Sequence, residues 1–270
     1  MKKLPAFLAV LLMLLSLASC KPSDSGKDSP AETETSVTEE ETPAKQYYTF
    51  KDVRYKEEFT DSKGTVRYII DFTYPSVGGK ISEKSAANIN EFFENMKNRL
   101  ARDIRMNIEN YADYMDRFDL GPETCLMTYE VYSQTPQLLS VIISKNTAVD
   151  KENTEPLREG ITFSVGSGER LSVSNLAVES DDETEEAVKE AIIESANSTY
   201  SPNGVALSDG KIDIFNRNFD GDNFVSDGNS ITFLYDLNVL SEGSRQGTYY
   251  CEVNCSDLEG VMTNPAKAVF

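Results

Sequence analysis

Between Ala86 and Phe118 apolar residues recur at Ala86, Ile89, Phe93, Met96, Leu100, Ile104, Ile108, Tyr111, Met115 and Phe118, every step being three or four residues. Side chains at that spacing share one face of an α-helix, so the run predicts one long amphipathic helix, or two nearly collinear ones. Ser82 is placed to cap its start, and Gly121-Pro122 follows its end. A stripe about 50 Å long at 1.5 Å per residue needs an apolar surface of matching length to cover it. The flanking segments offer strands for that purpose.

Before the helix, Tyr47-Tyr48-Thr49-Phe50 and Val66 to Tyr74 are rich in aromatic and β-branched residues, with turn residues at Asp61-Ser62-Lys63-Gly64 between them. After it, Thr124 to Ser133 and Gln137 to Thr147 predict a second strand pair turned at Thr135-Pro136. The polar stretch Asp150 to Glu159 then predicts a loop dividing the globular part into halves, 46–150 and 151–270. The second half continues with a strand Ile161 to Val165, a turn at Gly166-Ser167-Gly168 and a short run from Leu171 to Leu176. A second helix is announced by Asp182 and Glu185 at capping-box spacing and carries Val188, Ile192 and Ala196 on one face. Ile212 to Phe215, Ser230 to Asn238 and Gly247 to Asn254 are expected to be strands. The fold class is therefore α+β, with antiparallel strands packed against two main helices in two halves of similar size.

Residues 1–45 have a different texture. Lys2 and Lys3 precede an apolar run from Leu4 to Leu17 that is shorter than the roughly 20 residues a spanning helix needs, which is the layout of a secretory signal peptide over 1–19. Leu17-Ala18-Ser19-Cys20 resembles the lipobox of bacterial lipoproteins. That resemblance implies cleavage before Cys20, lipidation of its thiol with a diacylglyceryl group carrying acyl chains such as palmitate, and a membrane anchor on the extracytoplasmic face. The alternative is an ordinary signal peptide ending in a chance cysteine. Lys21 to Lys45 is rich in Ser, Thr, Pro, Asp and Glu, with Val37 its one large aliphatic residue, so residues 20–45 are expected to form a lipidated, disordered acidic tether.

Composition then narrows the chemistry. Without residues 1–19 the chain keeps 24 Lys+Arg against 45 Asp+Glu, a net charge of −21. Such a field repels phosphate backbones and steers cationic partners inward, so no nucleic-acid partner is expected. No histidine is present, which removes the commonest general base, the usual zinc ligand and every Ser–His or Cys–His pair. A glycosidase needs only two carboxylates, but its cleft usually stacks sugars on aromatics, commonly Trp, and this chain has none. The expectation is a protein that is not an enzyme and needs no cofactor. Cys125, Cys251 and Cys255 can form at most one disulfide. Cys251 and Cys255 lie about 13 Å apart along a strand, so a bond would join one of them to Cys125, and free buried thiols are the other reading.

Two weaker patterns remain. Asn216, Asn218, Asp220 and Asp227, with Gly221 at the sharp turn, partly follow the spacing of an EF-hand calcium loop. Asn216 replaces the first aspartate and Asp227 the final glutamate, strands rather than helices are expected to flank the loop, and the same residues serve in tight turns. Glu179 to Glu190, with Asp181-Asp182-Glu183 and Glu185-Glu186, forms a dense acidic cluster suited to a basic partner, although acids in a first helical turn also favour the helix dipole.

The order of short motifs over residues 46 to 262 resembles a known extracytoplasmic domain family. These are Tyr68 to Pro75 leading into Ile89-Asn90, Gly160-Ile161-Thr162-Phe163 with Gly168-Glu169-Arg170-Leu171, and Asn223-Phe224-Val225-Ser226-Asp227-Gly228 with Ile231-Thr232-Phe233, followed by Tyr235, Gly247 and Leu258. The family is shared by the lysozyme-sensing anti-sigma factor of the sigma-V system and the non-catalytic region of a peptidoglycan deacetylase. Asp150 to Glu159 stands where that family often carries a Gly-Gly-Ala-His-like segment. The resemblance implies a sensor or accessory module of the cell envelope, binding a lysozyme-like cationic protein or a cell-wall component. A carboxylate-based glycosidase, an accessory subunit of a wall-modifying enzyme and a purely structural envelope lipoprotein are the alternatives. Replacing Cys20 with alanine is expected to release the protein from membranes or leave it unprocessed, which fractionation and mass spectrometry of the mature N-terminus will read.

Overall fold

The computed structural model describes residues 47–148, 155–178, 180–198, 207, 209–240 and 247–268. Residues 45–270 form one compact unit. Its elements run β1 (Tyr48–Thr60), β2 (Val66–Gly79), α1 (Glu83–Phe118), β3 (Glu123–Gln134), β4 (Leu138–Ala148), β5 (Leu157–Ser164), α2 (Val173–Leu176), α3 (Asp181–Ser198), α4 (Asp209–Arg217), β6 (Phe224–Ser226), β7 (Ser230–Asp236), α5 (Leu237–Leu240) and β8 (Thr248–Asn254). The fold is α+β, with a five-stranded sheet ordered β1-β2-β3-β4-β5 and a three-stranded sheet ordered β6-β7-β8. No described helix is long and apolar enough to cross a membrane.

The predicted stripe makes α1 a single helix. Ser82 caps it, its Oγ accepting from Ser85 N at 3.0 Å, and Asp119 closes it in the left-handed conformation at φ 53°. Ile89, Phe93, Met96 and Ile104 are buried against one face of the first sheet, and Met115 is buried further along the helix. Phe118, expected in the stripe, is 57% exposed. A helix of 36 residues spans about 54 Å, whereas the 14 residues of β2 span about 46 Å, so the helix outruns its sheet. Because α1 links β2 to β3 as a crossover, that pair is parallel, while the other pairs in both sheets are antiparallel.

Side chains tie the helix at both ends. Near its start, Ser85 Oγ and Asn88 Nδ2 each donate at 2.8 Å to the carbonyls of Gly166 and Ser167, in the turn after β5. Asn90 replaces a missing strand neighbour, its Oδ1 accepting from Val77 N at 2.7 Å and its Nδ2 donating to Val77 O at 3.2 Å. Near its end, Arg67 reaches Asp61 at 2.8 Å and Asp116 at 2.7 Å, joining the β1–β2 turn to α1. Asp61 also accepts from the backbone of Lys63 and Thr65, and the bonds from Thr65 and Arg67 hold its carboxyl below the usual range.

The strand after Asp150 differs from the sequence expectation. It begins at Leu157 rather than Ile161 and pairs with β4, completing the first sheet instead of starting the second. Its two faces explain this placement: Ile161 and Phe163 point to the α1 core, while Gly160 and Thr162 meet the second sheet. Ile212 to Phe215 is also a correction, since it lies in α4 and not in a strand. Ile212 and Ile214 mimic strand alternation, but Ile212, Phe215 and Phe219 recur at three and four, and these three pack into the second core.

The second sheet lies against the outer face of β4 and β5 and packs its far side on α3, α4 and α2. Ile142, Val225 and Leu234 are buried between the two sheets. Beside them runs a line of hydroxyls: Ser140 Oγ lies 2.9 Å from Thr162 Oγ1 and donates to Ser226 O at 2.7 Å, and Thr162 Oγ1 donates to Phe224 O at 3.1 Å. Asn223 Oδ1 accepts from Gly160 N at 2.7 Å. A Cβ at Gly160 would sit 2.7 Å from the Phe224 carbonyl carbon, whereas one at Gly166 would have no contact closer than 3.7 Å. Gly160→Ala is therefore expected to destabilise the protein by about 1–3 kcal/mol, and Gly166→Ala by less than about 0.5 kcal/mol, in urea melts followed by circular dichroism.

Candidate functional site

The surface that sets this protein apart chemically is the outer face of α3. Ser180 supports its start, its Oγ accepting from Glu183 N at 3.3 Å, so the cap lies before the pair expected from the sequence. Thr184, Val188, Ile192 and Ala196 turn inward, with Thr184 Oγ1 donating to Val261 O at 3.2 Å. Asp181, Asp182, Glu183, Glu185, Glu186, Glu190 and Glu194 all lie on the exposed side. The helix contains a single basic residue, Lys189. Lys189 is buried, its Nζ 2.6 Å from Glu185, 3.0 Å from Glu186 and 5.3 Å from the centre of the Phe219 ring. Burial opposes its charge, yet the two glutamates outweigh that effect and hold its pKa above the usual value. The first-turn acids gain from the helix dipole, but Glu190 and Glu194 lie two to three turns further on and gain nothing from it. The result is a predominantly anionic ridge about 20 Å long, from Asp181 to Glu194, with seven acids against the one lysine paired to Glu185 and Glu186.

The residues considered as calcium ligands are spread over three local structures. Asn216 is exposed within α4, and Asn218 Nδ2 donates to Ile214 O at 2.7 Å. Asp220 Oδ1 accepts from Asp222 N at 2.9 Å, and Asp227 Oδ1 accepts from Asn229 N and Ser230 N at 2.8 and 2.9 Å. The side chains of Asn218, Asp220 and Asp227 are thus each engaged in their own turn or helix end. Among the described residues no group of three or more acidic or cysteine side chains is arranged to hold a metal ion.

Cys125, Cys251 and Cys255 are free thiols in this structure, with Cys125 in the core beneath α1 and Cys251 in the core beneath α3. Burial pushes the Cys251 and Cys255 thiols up to about 11, far from a reactive thiolate. Cys20 lies outside the described residues, as does the first half of the Asp150 to Glu159 segment.

One group was invisible to sequence reasoning. Glu159 is the only described carboxyl held above its usual range, because burial outweighs the favourable influence of Arg170, Arg99 and Lys145. It shares its strand face with Ile161 and Phe163, toward α1, and lies 3.4 Å from Arg170. The pairing of β5 with β4 brings Lys145 toward it, the bridge from Phe163 brings Arg170, and the packing of α1 on the sheet brings Arg99. Nothing in the spacing of the sequence signals that.

The motifs that carry the family resemblance are placed at joints of the fold. Gly160, Thr162, Asn223, Phe224 and Ser226 form the junction between the sheets. Gly168, at φ +77°, lies against the first turn of α1, where a Cβ would fall 2.3 Å from Ser85 O. Asn90 completes the end of β2. These residues build the fold rather than a ligand site.

No family model matches the sequence, and no curated protein matches it. Among solved structures, a DUF3298 family member from Bacteroides fragilis superposes with a TM-score of 0.52 at 13% identity, over 81% of this chain and 95% of that one. A DUF3298 family protein from Pseudomonas aeruginosa aligns with a TM-score of 0.48 at 12% identity, over 82% of this chain and 98% of that one. The first likeness establishes that the chain has the fold of a DUF3298 family protein, and at this identity it establishes the fold alone.

Proposed function

We propose that the protein is a non-enzymatic envelope lipoprotein, anchored through lipid on Cys20, whose folded domain binds a cationic cell-wall-targeting protein such as lysozyme. The observation that carries this reading is the anionic ridge of α3. A row of seven exposed acids against one ion-paired lysine attracts a basic protein over roughly a Debye length and aligns it on encounter. The net charge of −21 acts in the same direction. The lipobox-like Leu17 to Cys20 and the acidic tether support display at the outer membrane face, and the resemblance to a lysozyme-sensing domain supports the ligand class.

In a pull-down of the 46–270 fragment, lysozyme is expected to be retained at low salt and lost progressively as salt rises, with no sugar released from purified cell wall in the same tubes. Release of sugar would instead favour the glycosidase alternative, with Glu159 as the first carboxyl to replace. Absence of binding to both lysozyme and cell wall would remove the ligand claim.

A further inference from the structure

Helix α1 carries a surface of the opposite chemistry. Phe92, Asn95, Asn98, Arg99 and Arg102 line a shallow, open hollow along its flank. Phe92 and Arg102 are separated by about 15 Å of helix, enough for a disaccharide or a short peptide. This lining holds two arginines and no carboxylate, in a chain with 45 acidic residues against 26 basic ones. Arg99 is exposed, and no direct ion pair engages it among the described residues. Arg102 meets only its neighbour Asp103, at 3.4 Å, with both side chains more than half exposed, a contact of little strength.

The surroundings reinforce the excess of positive charge. Phe92 packs edge-on against Phe163 of β5 with ring centres 5.3 Å apart, so this flank faces the β5 side of the sheet. There, Arg170 lies 5.6 Å from the centre of the Phe92 ring and donates from Nη2 to Asp222 O at 2.7 Å. Its Nε is buried without a hydrogen-bond partner. Arg170, Arg99 and Lys145 all bear on Glu159, with Asp220 a second carboxylate in the cluster, leaving three cations to two acids.

We propose that this flank of α1 is a binding site for a small oxyanion-bearing ligand, a carboxylate or phosphate attached to a hydroxyl- or amide-bearing skeleton. Arg99 and Arg102 hold the anion, since a guanidinium matches either oxyanion with paired N–H donors. Asn95 and Asn98 exchange hydrogen bonds with the neighbouring hydroxyl or amide groups, and Phe92 covers an apolar face. The site is separate from the α3 ridge and takes a ligand of opposite charge, so it stands or falls independently of lysozyme binding.

Calorimetric titration of the full-length protein in neutral detergent tests the proposal with three probes: N-acetylmuramic acid, glycerol 3-phosphate and N-acetylglucosamine. The first differs from the third by a lactyl group bearing the carboxylate. At least one of the two anions is expected to bind and the neutral sugar to bind at least about 10-fold more weakly. Binding by the muramic acid alone assigns a carboxylate source, by the glycerol phosphate alone a phosphate source, and by both the shared chemistry. The double variant Arg99→Gln/Arg102→Gln is expected to lose about 10-fold or more in affinity at an unchanged melting temperature. Should that variant fail to fold, Asn95→Ala/Asn98→Ala, also altering exposed side chains, is expected to weaken binding as well. The proposal is overturned if neither anion binds at about 10 mM, if the neutral sugar binds equally well, or if the folded variants bind like the wild type.

Discussion

At Gly160 the backbone of β5 comes so close to β6 that no side chain fits between them, and the other features of the molecule are arranged around that approach. Two sheets that pack face to face normally interdigitate apolar side chains about 10 Å apart. Here Ile142, Val225 and Leu234 do so, but beside them the separation closes to direct contact and hydroxyls replace hydrocarbon. Ser140, Thr162 and Ser226 then satisfy backbone carbonyls and amides that the short strand β6 would otherwise leave unpaired in the interior. Each bond contributes modestly, whereas losing one would strand a buried polar group at a cost of about 1–3 kcal/mol. The junction therefore fixes how the second sheet lies on the first and, through β8, where α3 presents its outer face.

This arrangement separates what builds the domain from what can recognise a partner. The glycines and small polar residues at the junction are interior joints of a fold shared with a DUF3298 family protein. The charged surfaces lie elsewhere. On α3 Lys189 lies beside Phe219 and pairs with Glu185 and Glu186, which leaves the exposed Asp182, Glu183, Glu190 and Glu194 with no ion pair among the described residues. On α1 the hollow beside Phe92 is lined by Arg99 and Arg102 together with Asn95 and Asn98. A domain with a fixed interior and two surfaces of opposite sign can change its ligands without changing its fold.

The long helix was legible because its period of three and four is unbroken from Ala86 to Phe118, and a pattern of that length admits one structure. The hairpins were legible where turn residues punctuate alternating runs, as at Asp61 to Gly64. Ile212 to Phe215 misled because four residues fit either period, and only burial of Phe219 with Phe215 decides for the helix. Leu157 to Gly160 was hidden for a different reason: Glu159 and Gly160 suggest a loop until β4 and β6 supply partners. The acidic cluster could be read in the sequence, but not the burial of Lys189 against Glu185, Glu186 and Phe219. The convergence of Arg99, Lys145 and Arg170 on Glu159 joins four distant chain segments, and no local pattern encodes it.

Recognition through α3 depends on the location of its charge, not merely on the total, and one measurement separates the two. Asp182, Glu183, Glu190 and Glu194 are exposed and hold no ion pair among the described residues, as are Glu58, Glu83, Glu91 and Asp113 elsewhere on the surface. Neutralising either set as Asn or Gln changes the net charge equally. The association rate constant with lysozyme, measured by stopped-flow at fixed low salt, should fall by about 10-fold or more when the α3 set is neutralised and far less for the other set. Equal slowing by the two variants, or no slowing by either, would contradict the assignment of α3 as the recognition surface.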